Sequence, residues 1–163
     1  MEVAKMFTID KVQSEVDITF FAKLKIELVQ YHAQYAKEQG ITDLEVEYYD
    51  YEQAAANIFT RESYLLKLNN TVVGILQYEQ QISEIDKSPI IYVHALYFID
   101  KYRNVGLGIY ALRFLCRTYH LRIECSCWYD IPASQIYRKI GFKEMYTRYF
   151  LPIDNQFYES DQN

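Results

Sequence analysis

Arg103-Asn104-Val105-Gly106-Leu107-Gly108 follows an apolar run and opens an amphipathic one. At a helix N-terminus the first backbone N–H groups have no partner within the helix, and the helix dipole adds partial positive charge, so such a turn attracts phosphate-type anions. Glycines let anion oxygens approach that backbone with no Cβ between them. The spacing lacks the third glycine and the distal acid of the dinucleotide fingerprint, and it lacks the Gly-Lys-Ser/Thr of a P-loop. Taken alone, it also fits a tight strand-to-helix turn that binds nothing. A second feature is His94, in Tyr92-Val93-His94-Ala95-Leu96; the other histidines are His32 and His120. An imidazole with a pKa of about 6.5 suits proton transfer near neutrality. The alternative is a histidine hydrogen-bonded within its sheet. Regular strand alternation predicts Tyr92, His94 and Leu96 on one face. Cys125 and Cys127 form a C-x-C pair with no histidine close by in sequence, which reads as buried inert thiols before it reads as a metal site.

The elements that must position these groups can be read from periodicity. Residues 3–9 read as a strand. Residues 10–40 read mostly as a helix, with Val16, Phe20, Leu24 and Leu28 at fourfold spacing, Phe21, Tyr31 and Tyr35 beside that stripe, and Gly40 as the stop. Residues 41–51 form an acidic, aromatic loop, and 52–59 a short helix. The period then changes to two: 63–68 and 71–80 are strands joined by Asn69-Asn70, a hairpin turn signal, and Pro89 opens a third strand over 90–99. A helix over 106–119, a strand over 121–127, a helix over 131–140 broken by Gly141, and a strand over 143–151 complete the chain. The expected class is α/β: a mixed, mostly antiparallel sheet flanked by helices, in which the strand 90–99, the helix 106–119 and the strand 121–127 make a parallel unit.

Composition narrows the function classes. The 163 residues suit one domain over 1–163 with a core large enough to need no metal or disulfide. A net charge of −5 without a basic run argues against a nucleic-acid partner. No long apolar segment or signal-peptide pattern is present, so neither a membrane span nor export is expected, and three cysteines without framework spacing suit a reducing cytoplasm. Seventeen tyrosines supply apolar area with polar tips, suited to a cleft, an interface or the rim of a small core.

In this setting, Arg103-Asn104-Val105-Gly106-Leu107-Gly108 resembles the Arg/Gln-x-x-Gly-x-Gly/Ala pyrophosphate loop of the GNAT superfamily of acetyl-CoA-dependent N-acetyltransferases. The stretch from Asp130 to Phe142 resembles that superfamily's Asn-x-x-Ala-x-x-Leu-Tyr-x-x-x-Gly-Phe segment, with Ala133, Tyr137, Gly141 and Phe142 in step. The two motifs are correctly ordered and separated by one helix and one strand, and the resemblance is strongest over residues 60–150. It implies the GNAT acyl-CoA N-acyltransferase fold and an N-acetyltransferase that uses acetyl-CoA as donor and no metal. The acceptor would be a small-molecule or peptide amine, and the protein a monomer or homodimer.

The resemblance also implies roles. Leu96, Tyr97 and Phe98 would be the donor-binding strand, with Arg103, Asn104, Val105, Gly106, Leu107, Gly108, Ile109, Asp130 and Tyr137 completing the cofactor site. Asp130 departs from the family's Asn, placing a carboxylate where an amide is usual. Tyr137 would be the general acid for the leaving thiolate. Tyr92-Val93-His94-Ala95-Leu96 resembles the His-x-His-Ala-Leu stretch of the arylalkylamine N-acetyltransferase branch, which makes His94 the candidate general base, with Tyr92 in place of the first His. Some members place a Glu at the start of the fifth strand; Cys125 matches that position here, and Glu124 points to the other face. Asp43, Glu45, Glu47 and Asp50, among Tyr48, Tyr49 and Tyr51, fall where the family builds its acceptor cleft. Glu45, Glu47, Tyr48 and Tyr92 are therefore candidate acceptor contacts, suited to a polyamine, an aminoglycoside, an amino acid or a protein N-terminus. A longer acyl-CoA donor, a non-catalytic CoA-binding sensor and an interaction module without CoA remain open.

Overall fold

The structure, a computed structural model, describes residues 6–41, 49–127 and 131–145. Its elements are β1 (Phe7–Lys11), α1 (Glu15–Glu38), α2 (Tyr51–Ala55), β2 (Glu62–Leu68), β3 (Thr71–Ile82), β4 (Pro89–Phe98), α3 (Leu107–Tyr119), β5 (Arg122–Cys125) and α4 (Pro132–Ile140). The strands form one sheet in the order β1-β2-β3-β4-β5. The first four strands pair antiparallel with their neighbours, and β4 pairs parallel with β5. Among the described residues, no helix is long and apolar enough to cross a membrane.

Local chemistry explains where the elements begin and end. Asn69 and Asn70 both take left-handed φ, +52° and +62°, as a two-residue hairpin between right-twisted strands requires. The helix expected from residue 10 starts five residues later. Asp10 and Lys11 belong to β1, opposite Leu65 and Tyr64 of β2, and ion pairs Asp10–Lys67 and Lys11–Glu62 brace that pairing. Ser14 then starts α1 with a capping box: its hydroxyl accepts from the Asp17 N–H at 3.2 Å, and the Asp17 carboxylate accepts from the Ser14 N–H at 3.1 Å. Such a cap contributes about 1 kcal/mol.

Two cores lie on opposite faces of the sheet. On one, α1 presents Phe21, Leu24 and Leu28 to Leu65, Ile75 and Ala95. On the other, α3 presents Leu107, Ala111 and Leu115 to Leu66, Leu76, Ile91, Val93 and Phe98. The expected stripe on α1 is therefore displaced: Val16 and Phe20 stand 64% and 45% exposed, and Phe21 takes the buried place. Fourfold spacing drifts around a helix of 3.6 residues per turn, so the stripe 21-24-28 stays on the sheet where 16-20-24 leaves it. The short helix expected over 52–59 is regular only to Ala55. The final strand expected over 143–151 is without regular structure through 145, and its remainder lies outside the described residues. The three cysteines are free, and no group of metal-ligating side chains occurs among the described residues.

Candidate active site

The expected donor strand ends beside an opening. Among the described residues, β5 pairs with β4 from Ile90–Arg122 to Val93–Cys125, whereas β4 continues to Phe98. The Ile99 N–H donates to Val73 O of β3 at 2.9 Å. Because backbone polar groups alternate sides along a strand, those of Leu96 and Phe98 point away from β3, toward the β5 side of the sheet. The chain then makes a 3₁₀ turn over Asp100–Tyr102 and reaches Asn104 and Gly106, both left-handed at φ +60° and +83°. Gly106 caps α3 without any side-chain hydrogen bond, and a Cβ built on it would meet nothing within 4 Å. Among the described residues, no partner engages the N–H groups of Leu107 and Gly108, whereas that of Ile109 donates to Gly106 O at 3.2 Å.

Residues of this turn divide by role. Val105 and Ile109 are exposed, whereas Leu107 is buried in the α3 core and offers only its backbone to the opening. Gly108 packs near Phe98, 3.8 Å from its Cε2 to a built Cβ. The Arg103 guanidinium stacks between the rings of Tyr31 and Tyr97, at 5.1 and 4.8 Å. Its Nε donates to Phe98 O at 2.8 Å, and it pairs with Asp100. Arg103 therefore ties the turn to α1 and to the end of β4.

Tyr137 reaches the end of β5 from α4. Pro132 at the first turn fixes φ where no N–H partner is needed, and Gly141 ends the helix at φ +112°. The N–H of Phe142 donates to Tyr137 O at 3.0 Å and the N–H of Gly141 to Arg138 O at 3.1 Å, closing a Schellman-type end. Its apolar contact is Phe142 against the Tyr137 ring, centroids 5.2 Å apart. The Tyr-x-x-x-Gly-Phe spacing thus has a local cause: it locks the Tyr137 ring. The Tyr137 hydroxyl is hydrogen-bonded to the Cys125 thiol, and burial, with Cys125 and Cys127 adding to it, pushes its pKa well above the ordinary phenol value. Burial likewise pushes Cys125 up to about 11.

His94 occupies a β-bulge. Gln77 pairs with Ala95 and Tyr78 with Val93, so His94 is one residue more than β3 can match. The bulge resets the alternation: Val93 and Leu96 both pack on the α3 face, and Ala95 and Tyr97 on the α1 face. The expectation that Tyr92, His94 and Leu96 share a face is corrected accordingly. Tyr92 and His94 stay together, ring centroids 5.0 Å apart, while Leu96 lies across the sheet. His94 Nε2 is 2.7 Å from Glu79 Oε1. A carboxylate only accepts, so Nε2 carries the proton and Nδ1 is the free lone pair. Burial pulls the His94 pKa below its ordinary value against the raising effect of Glu79, with Arg61 and Lys25 lowering it further. The Tyr92 hydroxyl shares a hydrogen bond with Ser126 Oγ at 2.8 Å.

Sequence periodicity did not reveal Glu79, Lys25, Arg61 or Gln77 as neighbours of His94. Glu79 alternates with Gln77 and Ile75 along β3, a usable signal, but the bulge hides which β4 residue it meets. Glu124 is bound elsewhere, accepting from Ser83 Oγ at 3.0 Å and Arg122 Nε at 2.9 Å. Asp50, grouped with the acidic loop, serves as N-cap of α2, its carboxylate accepting from the Gln53 N–H at 3.0 Å. Asp43, Glu45, Glu47, Tyr48 and Asp130 lie outside the described residues.

No family model matches the chain, and no curated protein matches it in sequence. Solved structures do match in fold. An aminoglycoside N-acetyltransferase in complex with CoA superposes with a TM-score of 0.63 at 12% identity, over 89% of this chain and 93% of that one. A protein of Clostridium difficile 630 described as a possible acetyltransferase gives 0.62 at 15% identity, over 90% and 96%. A predicted acetyltransferase from Clostridium acetobutylicum with acetyl-CoA gives 0.60 at 13% identity, over 91% and 97%. The chain has the GNAT acyltransferase fold.

Proposed function

We propose that this protein transfers an acetyl group from acetyl-CoA to a primary amine in a ternary complex. The observation that carries the reading is a coincidence at the end of β4. A strand edge that runs past the last β5 pair leads into a helix N-terminus without a side-chain cap, and the Tyr137 hydroxyl, hydrogen-bonded to Cys125, lies at the end of β5 opposite Val93. The residues fit the donor. The α3 N-terminus with Asn104, Val105, Gly106 and Gly108 would hold its pyrophosphate by backbone N–H groups, with the exposed Ile109 side chain beside it, and the open space at Gly106 admits the phosphate oxygens. The donor supplies an activated acetyl thioester, and the N–H groups of Leu96 and Phe98, without a partner among the described residues, would polarise its carbonyl.

The two proton tasks fall on opposite faces. An alkylamine with a pKa of about 10.4 is almost wholly protonated at neutrality, so one proton must be removed. His94 Nδ1 does this directly or through water; its lowered pKa keeps the imidazole neutral, and Glu79 fixes the ring. Tyr137 donates to the departing thiolate, and its raised pKa keeps it protonated for that task. No covalent enzyme intermediate is required, and Cys125, held as a thiol, is a poor nucleophile near neutral pH.

Calorimetric titration with CoA, followed by turnover of acetyl-CoA against an amine panel with thiol release as readout, tests the reading. Absence of CoA binding overturns it, and CoA binding without turnover of any amine favours a sensor. His94→Ala should slow acetylation most on the acidic limb of the pH profile. The sign follows from the base: activity falls as pH drops through a His94 pKa below the ordinary 6.5, and raising pH should rescue the variant as more amine arrives neutral. A variant with the wild-type pH profile would make His94 structural.

A further inference from the structure

Among the described residues, the α1 face beside His94 holds two cations without acidic partners. Lys25, half-buried on α1, donates its ammonium to Oε1 of Gln77, a fully buried residue of β3. That amide is held by its other end, Gln77 Nε2 donating to Ser63 Oγ at 3.0 Å and to Asn57 O at 3.4 Å. Gln77 sits directly across from Ala95, next to the His94 bulge. Arg61, at the start of β2, acts on Lys25 and His94 by like charge. Among the described residues, no carboxylate lies within ion-pair distance of Lys25 or Arg61. The acids on this face are engaged otherwise: Glu79 with His94, Glu27 with the Tyr97 hydroxyl at 3.4 Å.

Desolvating an ammonium beside a second cation is unfavourable unless an anion compensates. Burial and Arg61 together bring Lys25 down to about 8, the response of an ammonium lacking its counter-ion. An ammonium held by a buried amide with a guanidinium acting on it by like charge is the pair of donors that a bound carboxylate would compensate.

We infer that Lys25 and Arg61 form a carboxylate-binding subsite on the acceptor face, so that the acceptor is an amine bearing a carboxylate, of amino-acid type. The amine half of this statement rests on the acetyltransferase reading; the carboxylate half does not. A polycationic acceptor would meet like charge at the same place. Among the acceptors that the sequence left open, the arrangement selects the amino acid.

The test uses two product-like probes differing by one charge: N-acetylglycine, a carboxylate, and N-acetylglycinamide, its neutral amide. Binding of each is measured calorimetrically to the wild type, Lys25→Met and Arg61→Gln, with and without saturating CoA. N-acetylglycine should bind on the order of tenfold tighter than the amide, and each substitution should remove that preference, as expected for losing one charge-assisted hydrogen bond. Equal binding of the two probes, binding of neither, or a preference unchanged in both variants overturns the subsite. A carboxylate preference in protein that fails to bind CoA retains the subsite and overturns the acetyltransferase reading instead.

Discussion

Tyr137→Phe is expected to lower kcat for acetyl transfer by ~10²-fold while changing the affinity for CoA little. The substitution removes one oxygen and leaves the ring, and the ring contact with Phe142 and the backbone bonds closing α4 do not involve that oxygen. What is lost is the hydroxyl that, in the proposed reaction, protonates the departing thiolate. The pH profile gives a second check. A phenol held far above its ordinary pKa is protonated at every pH where the protein is ordinarily assayed, so no basic limb near pH 10 should be assignable to Tyr137 in the wild type. Single-turnover measurement of thiol release, with chemistry rate-limiting, decides the matter. Turnover close to wild type in the variant would mean that water protonates the thiolate.

The second large effect is expected at Gly106. Its φ of +83° is costly for any side chain except Asn or Asp, and most costly for a β-branched one. The space around it is open, so clash with the protein is not the issue. Gly106→Asn accepts the backbone conformation, placing a side chain where phosphate oxygens would lie; Gly106→Val adds backbone strain to the same obstruction. Both should weaken CoA binding by ~10²-fold or more, since one or two charge-assisted N–H bonds are lost. Gly106→Asn should melt close to the wild type. A folded Asn variant with undiminished CoA affinity would remove the α3 N-terminus from the donor site.

The backbone geometry at these two positions was legible in the sequence because its causes are local. A glycine at a helix entrance and a Tyr-x-x-x-Gly-Phe helix end need only neighbours a few residues away, and Asn69-Asn70 specifies its hairpin by φ alone. The β4-α3-β5 unit followed from periodicity of the same kind. The α1 face around His94 was not legible in this way. Lys25, Arg61, Gln77 and Glu79 come from three separate elements, and nothing local says that they meet. The parity of β4 failed for a related reason: alternation assumes equal numbers of residues on paired strands, and one extra residue at His94 reverses everything beyond it. Arg103 shows a third limit. Its type and position match a phosphate loop, yet its side chain is committed to Tyr31 and Tyr97, a stack visible only once α1 is packed.

The surplus residue in β4 has a genetic corollary. An in-frame loss of the single codon for His94 would restore one-to-one matching with β3, and Val93, Ala95, Leu96, Tyr97 and Phe98 would each keep the face they now occupy. Few internal deletions in a strand leave every apolar side chain where it belongs. Shortening at this position is therefore compatible with folding, and what it removes is the local bend together with the imidazole on it. Position 94 is where this chain could lengthen or shorten by one residue, gaining or losing chemistry on an unchanged scaffold.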